Sequence, residues 1–474
     1  MQPRSAAFKD NARAALADAE LQRALRVGGG GFVERRRKAV AKLPEFDTLR
    51  DEARDIKNHT LDYLDLYYER FEEKVRANGG QVHFAPTAED ARDIVLDICR
   101  QAKARTVTKA KSMIAEEIGL NAHLEANGIE AVETDLGEYI IQIRGESPSH
   151  IIAPAIHVTK EQVEADFRRA HAWLPADRDL KAPETLVREA RAVLREKFLA
   201  ADVGITGANM LIAETGSSVI VTNEGNGDLT QSLPRVHIVV ASLEKMVPTL
   251  EDATVILRVL ARSATGQELS VYTTFSTGAR RADDPDGPAE YHVVVLDNGR
   301  TPMIGTKFQD MLRCIRCGAC MDHCPVYQAV GGHAYGWVYP GPMGAVLTPQ
   351  LIGIDQAGHL PNASSFCGRC ESVCPMRIPL PNLMRHWRER EFERHLSPKS
   401  ARWGLGLWEF AATRPRLYRA AVNIAVPLLA MLAGRRGRLK RLPLAGGWTR
   451  HRDLPAPEGS TFQQLWRKRK AGRS

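Results

Sequence analysis

Seven of the eight cysteines in this 474-residue chain lie between Cys314 and Cys374. They form two runs, CIRCGACMDHCP from Cys314 and CGRCESVCP from Cys367, and each run ends in Cys-Pro. The N-terminus lacks the basic segment, apolar stretch and cleavage site of a secretory signal, so we expect a cytoplasmic protein. Because thiols stay reduced in the cytoplasm, the clustering indicates metal binding rather than disulfide bonds.

The first run has the spacing Cys-x2-Cys-x2-Cys-x3-Cys-Pro, which bacterial ferredoxins use to hold iron–sulfur clusters. In that arrangement three cysteines bind one cubane cluster and the fourth reaches a neighbouring cluster. The small Gly318 and Ala319 let the backbone approach the inorganic sulfides. The two runs therefore predict two [4Fe-4S] clusters with crosswise ligands: Cys314, Cys317, Cys320 and Cys374 for cluster 1, and Cys324, Cys367 and Cys370 for cluster 2.

Cluster 2 lacks a fourth thiol in this assignment. Three residues before Cys367, where a complete run would have cysteine, the sequence has Ser364. A [3Fe-4S] cluster needs only three thiolates and would fit without further help. A [4Fe-4S] cluster would need another ligand from Ser364, Ser365, water or a partner protein. The sequence leaves both alternatives open.

Zinc is the alternative metal, since two Cys-x2-Cys pairs can make a tetrahedral thiolate site. Seven cysteines with two Cys-Pro closures fit one zinc ion poorly and two zinc ions worse, which favours iron and sulfide. His333 and His359 could be ligands, but we predict surface or hydrogen-bonding roles for both. Cys99 lies on the apolar side of a predicted helix and is expected in the core.

Apolar periodicity predicts the architecture of the remaining chain. Residues 1–80 are predicted to be mostly helical. Between 80 and 300, strands alternate with helices, which predicts an α/β domain with a largely parallel sheet. One helix is expected to begin at Thr87, capped with Asp90, and another to cover about 185–200. The strand-like runs are QVHF, TVTK, GIEAVET, YIIQIR, HIIAPAIHV, SVIVTN, VHIVVAS, ATVILRVLA and YHVVVLDN.

Four regions follow from these patterns. The region 301–395 is dense in Gly, Pro and Cys around the two cysteine runs, and the chain beyond it is Arg-rich and predicted to be helical. We predict a helical N-terminal region over 1–80, an α/β domain over 81–300, a two-cluster domain over 301–395 and a basic C-terminal region over 396–474.

Positive charge is concentrated at the C-terminal end. Residues 401–474 hold 16 Lys or Arg against three acids, a local charge of +13, whereas the whole chain carries +8. The first 400 residues are therefore mildly acidic, which argues against nucleic-acid binding. The basic region could dock an acidic partner, lie peripherally on an anionic membrane or be solvated surface. Its apolar stretch, 420–434, is shorter than the roughly 20 residues that a transmembrane helix needs.

Other polar signals are weaker. The Gly-rich segment 204–218, with Glu214, matches neither the Rossmann nor the P-loop spacing. We interpret it as a tight turn before a core strand, with a ligand pocket as the alternative. Lys109 and Lys111 follow a strand and could meet an anion, although surface lysines are commoner. With no flavin or nicotinamide fingerprint and no nucleophile–base pair, no catalytic residue is predicted.

Several stretches of the sequence closely resemble the lactate utilization protein B family. The resemblance runs over nearly the whole chain and includes the cysteine runs with their flanks. The stretches that carry it are LRCIRCGACMDHCPVYQAVGGHAYGWVYPGPMGAVLTP, LPNASSFCGRCESVCPMRIPLPNL, GANMLIAETGSSVIVTNEGN, SHIIAPAIHVTKEQV and RDLPAPEGSTFQQLW.

The resemblance implies a LUD domain, related in fold to the CoA-transferase and ribose-isomerase group, followed by an α-helical ferredoxin-type domain. It implies an electron-transfer subunit, without a catalytic site of its own, in a multi-component system that oxidises L-lactate to pyruvate. The expected partners are a cysteine-rich iron–sulfur subunit and a small LUD-domain subunit. Two alternatives stay open: a hydroxyacid site at the open corner of cluster 2, and a cluster-containing module that senses a metabolite.

Overall fold

The computed structural model describes residues 3–442, 446–449 and 452–472. The chain divides into two compact units, one that ends at Glu391 and one that begins at Phe392. The first unit contains the N-terminal helices, the α/β region and both cysteine runs.

Helices form the N-terminal part of the first unit, as the apolar periodicity predicts. The Asp18 carboxylate caps the second helix by accepting hydrogen bonds from two backbone N–H groups at 3.0 Å. The third helix buries Phe46, Leu49 and Ala53 on one face, at the three- and four-residue spacing of an amphipathic helix. The helices are α1 (Phe8–Ala17), α2 (Ala19–Ala41), α3 (Phe46–Asp62) and α4 (Leu64–Ala77).

A parallel six-stranded sheet forms the centre of the α/β region. Its strands are β1 (Gln81–Ala85), β2 (Thr106–Lys109), β3 (Glu130–Glu133), β4 (Val203–Thr206), β7 (Val236–Ser242) and β10 (Glu290–Leu296), in the order β1-β10-β7-β4-β2-β3. All seven residues of β7 are buried, as expected for a parallel sheet covered on both faces. The predicted α/β class is confirmed.

A second sheet lies between these strands in the sequence. Its strands are β5 (Met210–Ile212), β6 (Ser217–Thr222), β8 (Met246–Val247) and β9 (Tyr272–Ser276), in the order β8-β5-β6-β9. Strand β6 pairs antiparallel with both neighbours, whereas β5 and β8 are parallel. Of these four strands, sequence periodicity identified only β6.

Helices connect the strands of the α/β region. They are α5 (Ala88–Gln101), α6 (Met113–Ile118), α7 (Leu120–Ala126), α8 (Leu136–Arg144), α9 (Lys160–Ala170), α10 (Pro183–Ala200), α11 (Asn226–Ser232) and α12 (Leu250–Ala264). The predicted cap of α5 is confirmed, because Thr87 and Asp90 each bond the other's backbone N–H. The fully buried Cys99 on this helix is a core residue, as predicted.

Three of the predicted strands are wrong. YIIQIR lies in α8, where the Asp135 side chain accepts from two backbone N–H groups and starts the helix. ATVILRVLA lies in α12, which begins with a capping box between Thr249 and Asp252. HIIAPAIHV forms turns around Pro154, which has no N–H to give a sheet ladder. In the two helices, capping and burial override the strand preference of β-branched residues.

Short helices make up the cysteine-rich part of the first unit. They are α13 (Ala319–Asp322), α14 (Pro325–Val330), α15 (Gly341–Ile352), α16 (Ile354–Ala357), α17 (Arg369–Ser372) and α18 (Leu380–Glu393). One continuous hydrophobic core contains side chains of the N-terminal helices, the second sheet and this region, among them Phe71, Met246 and Trp387. The predicted α-helical ferredoxin-type character is confirmed, and the shared core holds it against the α/β region.

The second unit is mainly helical and exposes much apolar surface. It contains α19 (Lys399–Ala412), α20 (Pro415–Ala433), α21 (Gly446–Thr449), α22 (Phe462–Ala471) and the short antiparallel pair β11 (Arg438–Leu439) and β12 (Leu454–Pro455). The segment Pro415–Arg436 is long and apolar enough to cross a membrane by length and composition, and 6% of its apolar window is buried. The helix is thus longer than the apolar stretch 420–434. The length of that stretch was the reason why no transmembrane helix was expected from the sequence.

Candidate iron–sulfur site

The two cysteine runs adopt the same backbone conformation. Arg316 and Phe366, each just before a cysteine, have φ of 59° and 54°. Gly318 and Gly368, each just after that cysteine, have φ of 76° and 77°. A non-glycine residue is rarely held at positive φ and costs about 1 kcal/mol or more, so such strain occurs mainly at functional sites. The repetition of the pattern indicates two copies of one binding loop.

The loops also end in the same way. Each continues into a four-residue helix, α13 or α17. The N–H of Cys324 then bonds the Met321 carbonyl at 3.0 Å, and the N–H of Cys374 bonds the Glu371 carbonyl at 3.1 Å. Because proline follows both cysteines, each loop closes at the same point. These closing cysteines are the ones predicted to serve the opposite cluster.

Four cysteines line one small cavity, and they are the four predicted for cluster 1: Cys314, Cys317, Cys320 and Cys374. The remaining wall includes Ile151, Met343, Met376 and Leu380, which are all buried. A mostly apolar wall around converging thiols suits a cluster that must be kept from water. The structure therefore brings the first predicted set together from both loops.

The other three cysteines also lie near one another. Burial, followed by the neighbouring Cys324 thiol, raises the pKa of Cys370 to about 12. Cys370 is buried, Cys324 is half-buried and Cys367 is exposed. The second predicted set is therefore nearer to solvent than the first. Beside it, the Ser364 hydroxyl accepts a hydrogen bond from the Phe366 N–H at 3.2 Å.

The spacing of the sulfurs distinguishes a cluster from a zinc ion. Four thiolates around one zinc lie about 4 Å apart, because each Zn–S bond is about 2.3 Å. Among the described residues, 3–442, 446–449 and 452–472, one group of three side chains has potential metal-ligand atoms that all lie within 4.8 Å of one another. It consists of Glu116, Glu133 and Glu138 and contains no cysteine. The sulfurs of the cysteines that share a cavity lie farther apart than this, which fits the larger iron–sulfide core of a cluster. Thiolates are also the donor groups that such a core binds.

Cations from the N-terminal helices lie against the second loop. Arg50, 5% exposed, donates to the Cys374 carbonyl from Nε at 3.0 Å and from Nη2 at 2.7 Å. The same Nη2 donates to the Ser372 carbonyl at 2.8 Å. Arg36 donates to the Val373 carbonyl at 2.9 Å. These guanidinium groups fix the loop and would offset the negative charge of thiolates and of a bound cluster.

A buried charge network joins the first loop to the α/β region. Arg300 makes a two-point ion pair with Glu117 at 2.7 and 2.9 Å and contacts Glu244 at 2.8 Å. Glu244 also accepts from Arg316 of the loop at 2.9 Å, and Tyr339 donates to Glu117. Burial would raise the pKa of Glu244, but Arg300 and Arg316 lower it to about 2. Sequence reasoning missed Glu117, Glu244 and Arg300, since no motif marks isolated charges far apart in the chain.

The remaining polar candidates have structural partners. His333 bonds the Ser147 carbonyl at 2.7 Å and His359 bonds the Ser5 carbonyl at 2.8 Å, which are the predicted hydrogen-bonding roles. Lys109 is fully buried between Glu133 at 2.7 Å and Glu116 at 3.0 Å, so it is not a surface lysine. The Glu214 carboxylate accepts from the Leu250 N–H at 3.1 Å.

Known protein families match this chain in three consecutive segments. The LUD domain matches residues 68–296, the 4Fe-4S dicluster domain matches 310–378, and the C-terminal domain of lactate utilisation protein B matches 383–471. Lactate utilization protein B of Macrococcus caseolyticus is 42% identical over 466 residues, which cover 98% of this chain and 97% of that protein. This chain belongs to the lactate utilization protein B family.

Further relatives in the lactate utilization protein B family are equally similar. The protein of that name from Geobacillus thermodenitrificans is 44% identical over 93% of this chain and 92% of its own length, and that from Bacillus velezensis is 42% identical over 98% and 97%. A solved DUF162 family protein from Deinococcus radiodurans aligns over 49% of this chain and 98% of its own, at 14% identity and a TM-score of 0.27. The family associates this chain with lactate utilization, and the dicluster match with iron–sulfur cluster binding.

Replacing Arg50 tests its contribution to the site. We expect Arg50→Leu to lower the free energy of unfolding by about 3 kcal/mol, because a charged donor is lost and buried carbonyls are left without partners. The control is Arg54→Leu on the same helix, whose partners Asp51 and Asp55 are largely exposed; it should change stability by less than about 1 kcal/mol. Anaerobic thermal unfolding followed by circular dichroism measures both, and equal midpoints would contradict the assigned role.

Proposed function

We propose that this chain carries electrons in a multi-component system that oxidises L-lactate to pyruvate. The supporting observation is the duplicated cysteine loop, which brings four thiols onto one small, mostly apolar cavity and places three others nearer to solvent. Oxidation of lactate to pyruvate releases two electrons and two protons. A chain with two one-electron centres has the capacity to accept both electrons from one turnover.

We assign the ligands as the sequence predicted them. Cys314, Cys317, Cys320 and Cys374 would hold a [4Fe-4S] cluster, and Cys324, Cys367 and Cys370 would hold a second cluster of the [4Fe-4S] or [3Fe-4S] type. A bound cluster supplies reversible one-electron storage at a potential set by charge, hydrogen bonding and solvent exposure. The protein side chains exclude water from the first set through buried apolar walls, and Arg36 and Arg50 place positive charge beside its loop.

The exposure of the second cysteine set supports contact with a redox partner. Cys367 is exposed, whereas Cys317, Cys320 and Cys374 are buried. Electron exchange between proteins requires close approach, so the partner would dock near Cys367. We propose that this partner is the cysteine-rich iron–sulfur subunit that the family resemblance implies, with a small LUD-domain subunit as the third component.

Iron and acid-labile sulfide analysis with EPR, before and after dithionite, tests the proposal on anaerobically purified protein. We expect about eight irons per chain for two four-iron clusters, or about seven if the second cluster has three irons. Two four-iron clusters should give a signal only after reduction, whereas a three-iron cluster should give one in the oxidised sample. Absence of iron, or of reversible reduction, would refute the electron-transfer role.

Three variants test the ligand assignment by the same measurements. Cys320→Ala should lose about four irons, because one of the four thiolates of cluster 1 is removed and alanine offers no replacement ligand. Cys99→Ala is the matched control, since Cys99 is buried in a separate core cluster, and it should keep the full iron content. Ser364→Cys should raise the iron content from about seven to about eight and abolish the oxidised signal if the second cluster has three irons. Full iron retention in Cys320→Ala would contradict the ligand assignment.

We also propose peripheral membrane contact through the second unit. In α19, Trp403 and Trp408 are 80% and 64% exposed, and in α20, Ile424 and Met431 are both 71% exposed. Arginines at both ends of α20 surround these apolar side chains with positive charge, the pattern of an interfacial helix.

Flotation of the intact protein with liposomes tests this contact. Binding to vesicles that contain an anionic lipid should be strong at low salt and weaker at high salt, because positive charge contributes to it. Neutral vesicles of equal size are the control and should bind less. Protein that stays at the bottom of the gradient with anionic vesicles at low salt would refute the proposal.

A further inference from the structure

A cavity of about 560 Å³ opens at the carboxyl ends of the parallel strands. Lys111 and Ser112 line it just after β2, and Gly207 and Asn209 line it just after β4. From β2 the chain proceeds to β3 on one side and then returns to β4 on the other, so the strand order reverses there. Open α/β sheets bind ligands at this reversal, and the cavity volume is that of a ligand pocket.

Lys245 is an unpaired cation in the wall of this cavity. The side chain lies just beyond β7 and the residue is only 6% exposed. Its ammonium group makes neither a hydrogen bond nor an ion pair with any residue in the described ranges 3–442, 446–449 and 452–472. Burying a charged group without a partner is unfavourable. An anion in the cavity would supply that partner.

Two of the three neighbouring acids already have partners. Glu244 is shared between Arg300 and Arg316 at 2.8 and 2.9 Å. Asp135, in the cavity wall, accepts the N–H groups of Gly137 and Glu138 at the start of α8, and Glu224 is exposed. Lys111 also lines the cavity and donates to the Ile152 carbonyl at 2.8 Å. The charged side chains that line the cavity are three cations, Lys111, Lys245 and Arg316, and two acids, Asp135 and Glu224, which leaves a formal excess of one positive charge.

The cavity reaches the first cysteine loop. Ile151 and Arg316 line both this cavity and the smaller cavity that contains Cys314, Cys317, Cys320 and Cys374. The Arg316 Nε atom is buried and has no hydrogen-bond acceptor among the described residues. Apolar side chains, including Ile152, Ile220 and Leu260, cover other parts of the wall. A ligand here would meet both cationic and hydrocarbon side chains.

We propose that this cavity binds a small organic carboxylate, with Lys245 pairing its carboxylate group beside the first cysteine loop. The choice of 2-hydroxy and 2-oxo acids as ligands rests on the proposed role in lactate oxidation. The cavity exceeds the volume of lactate, so charge rather than tight shape selects the ligand. The site differs from an open corner of cluster 2, because it lies at the end of the parallel sheet and adjoins the other cysteine set.

Anaerobic isothermal titration of the full chain with its clusters tests the proposal, with L-lactate, pyruvate and inorganic phosphate as separate probes. We expect saturable binding of lactate or pyruvate. Binding of phosphate alone would overturn the carboxylate assignment. Absence of binding for all three probes at millimolar concentration would overturn the site itself.

Variants test the contact with Lys245. Lys245→Met should weaken carboxylate binding at least tenfold, because a charge-assisted contact is lost. Lys245→Arg keeps the charge and should bind more tightly than Lys245→Met. The matched control is Lys57→Met, which removes another buried ammonium that donates to the Glu244 and Met246 carbonyls and does not line the cavity. The affinity of this variant for the carboxylate should be within about threefold of the wild-type affinity.

Two results would contradict the contact. One is wild-type affinity in Lys245→Met, and the other is an equal loss of affinity in Lys57→Met with wild-type iron content and circular dichroism. The latter would mean that Lys245, like Lys57, acts only through its positive charge, which in both residues interacts with the Cys314 thiol. The outcome is separate from that of the electron-transfer test: reversible reduction without carboxylate binding overturns only this inference, and binding without reducible clusters overturns only the electron-transfer role.

Discussion

The structure depends on a buried charge network that links the α/β region to the first cysteine loop. Glu117 and Glu244 each bind Arg300, and Glu244 also binds Arg316. All four side chains are at most 8% exposed. Removing one member of such a network typically costs about 3–5 kcal/mol, because an uncompensated charge stays buried. The network therefore fixes the loop at one position relative to the sheet, and both cavities lie beside it.

Local signals predicted much of the fold. The Thr87 and Asp90 pair defined the start of α5, and continuous apolar runs defined β7 and β10. The failures at α8 and α12 have a common cause: their β-branched residues suit a buried surface in either conformation. The caps at Asp135 and Thr249 select the helical conformation, and apolar periodicity contains no information about caps. The predicted division at 80, 300 and 395 stays a prediction, although a compact unit does end at Glu391.

At the cysteine loops, too, the sequence predicted what local signals specify and missed what depends on distant residues. Ligand spacing is local, so the sequence could group seven thiols and propose crosswise pairing. The groups that support the loops are not local. Arg50 and Cys374 are 324 residues apart, and Arg316 and Glu244 are 72 apart. Their contacts follow from the tertiary fold, in which the N-terminal helices and the cysteine region share one core. The sequence offered a ligand pocket at 204–218 only as an alternative, and Gly207 and Asn209 of that segment do line the Lys245 cavity. Lys245 itself was not predicted, because no motif marks an unpaired lysine.

The distance in sequence between Arg50 and Cys374 has a consequence for biosynthesis. Helix α3 leaves the ribosome early, but the carbonyl groups that its arginine binds are made 324 residues later. At about 5–20 residues per second, that interval is on the order of tens of seconds. During it, the cysteines of the first run emerge before the thiol that completes their cavity. The first-run thiols are thus unshielded in the nascent chain, and the cavity that we propose for the first cluster is complete only after translation of nearly the whole first unit.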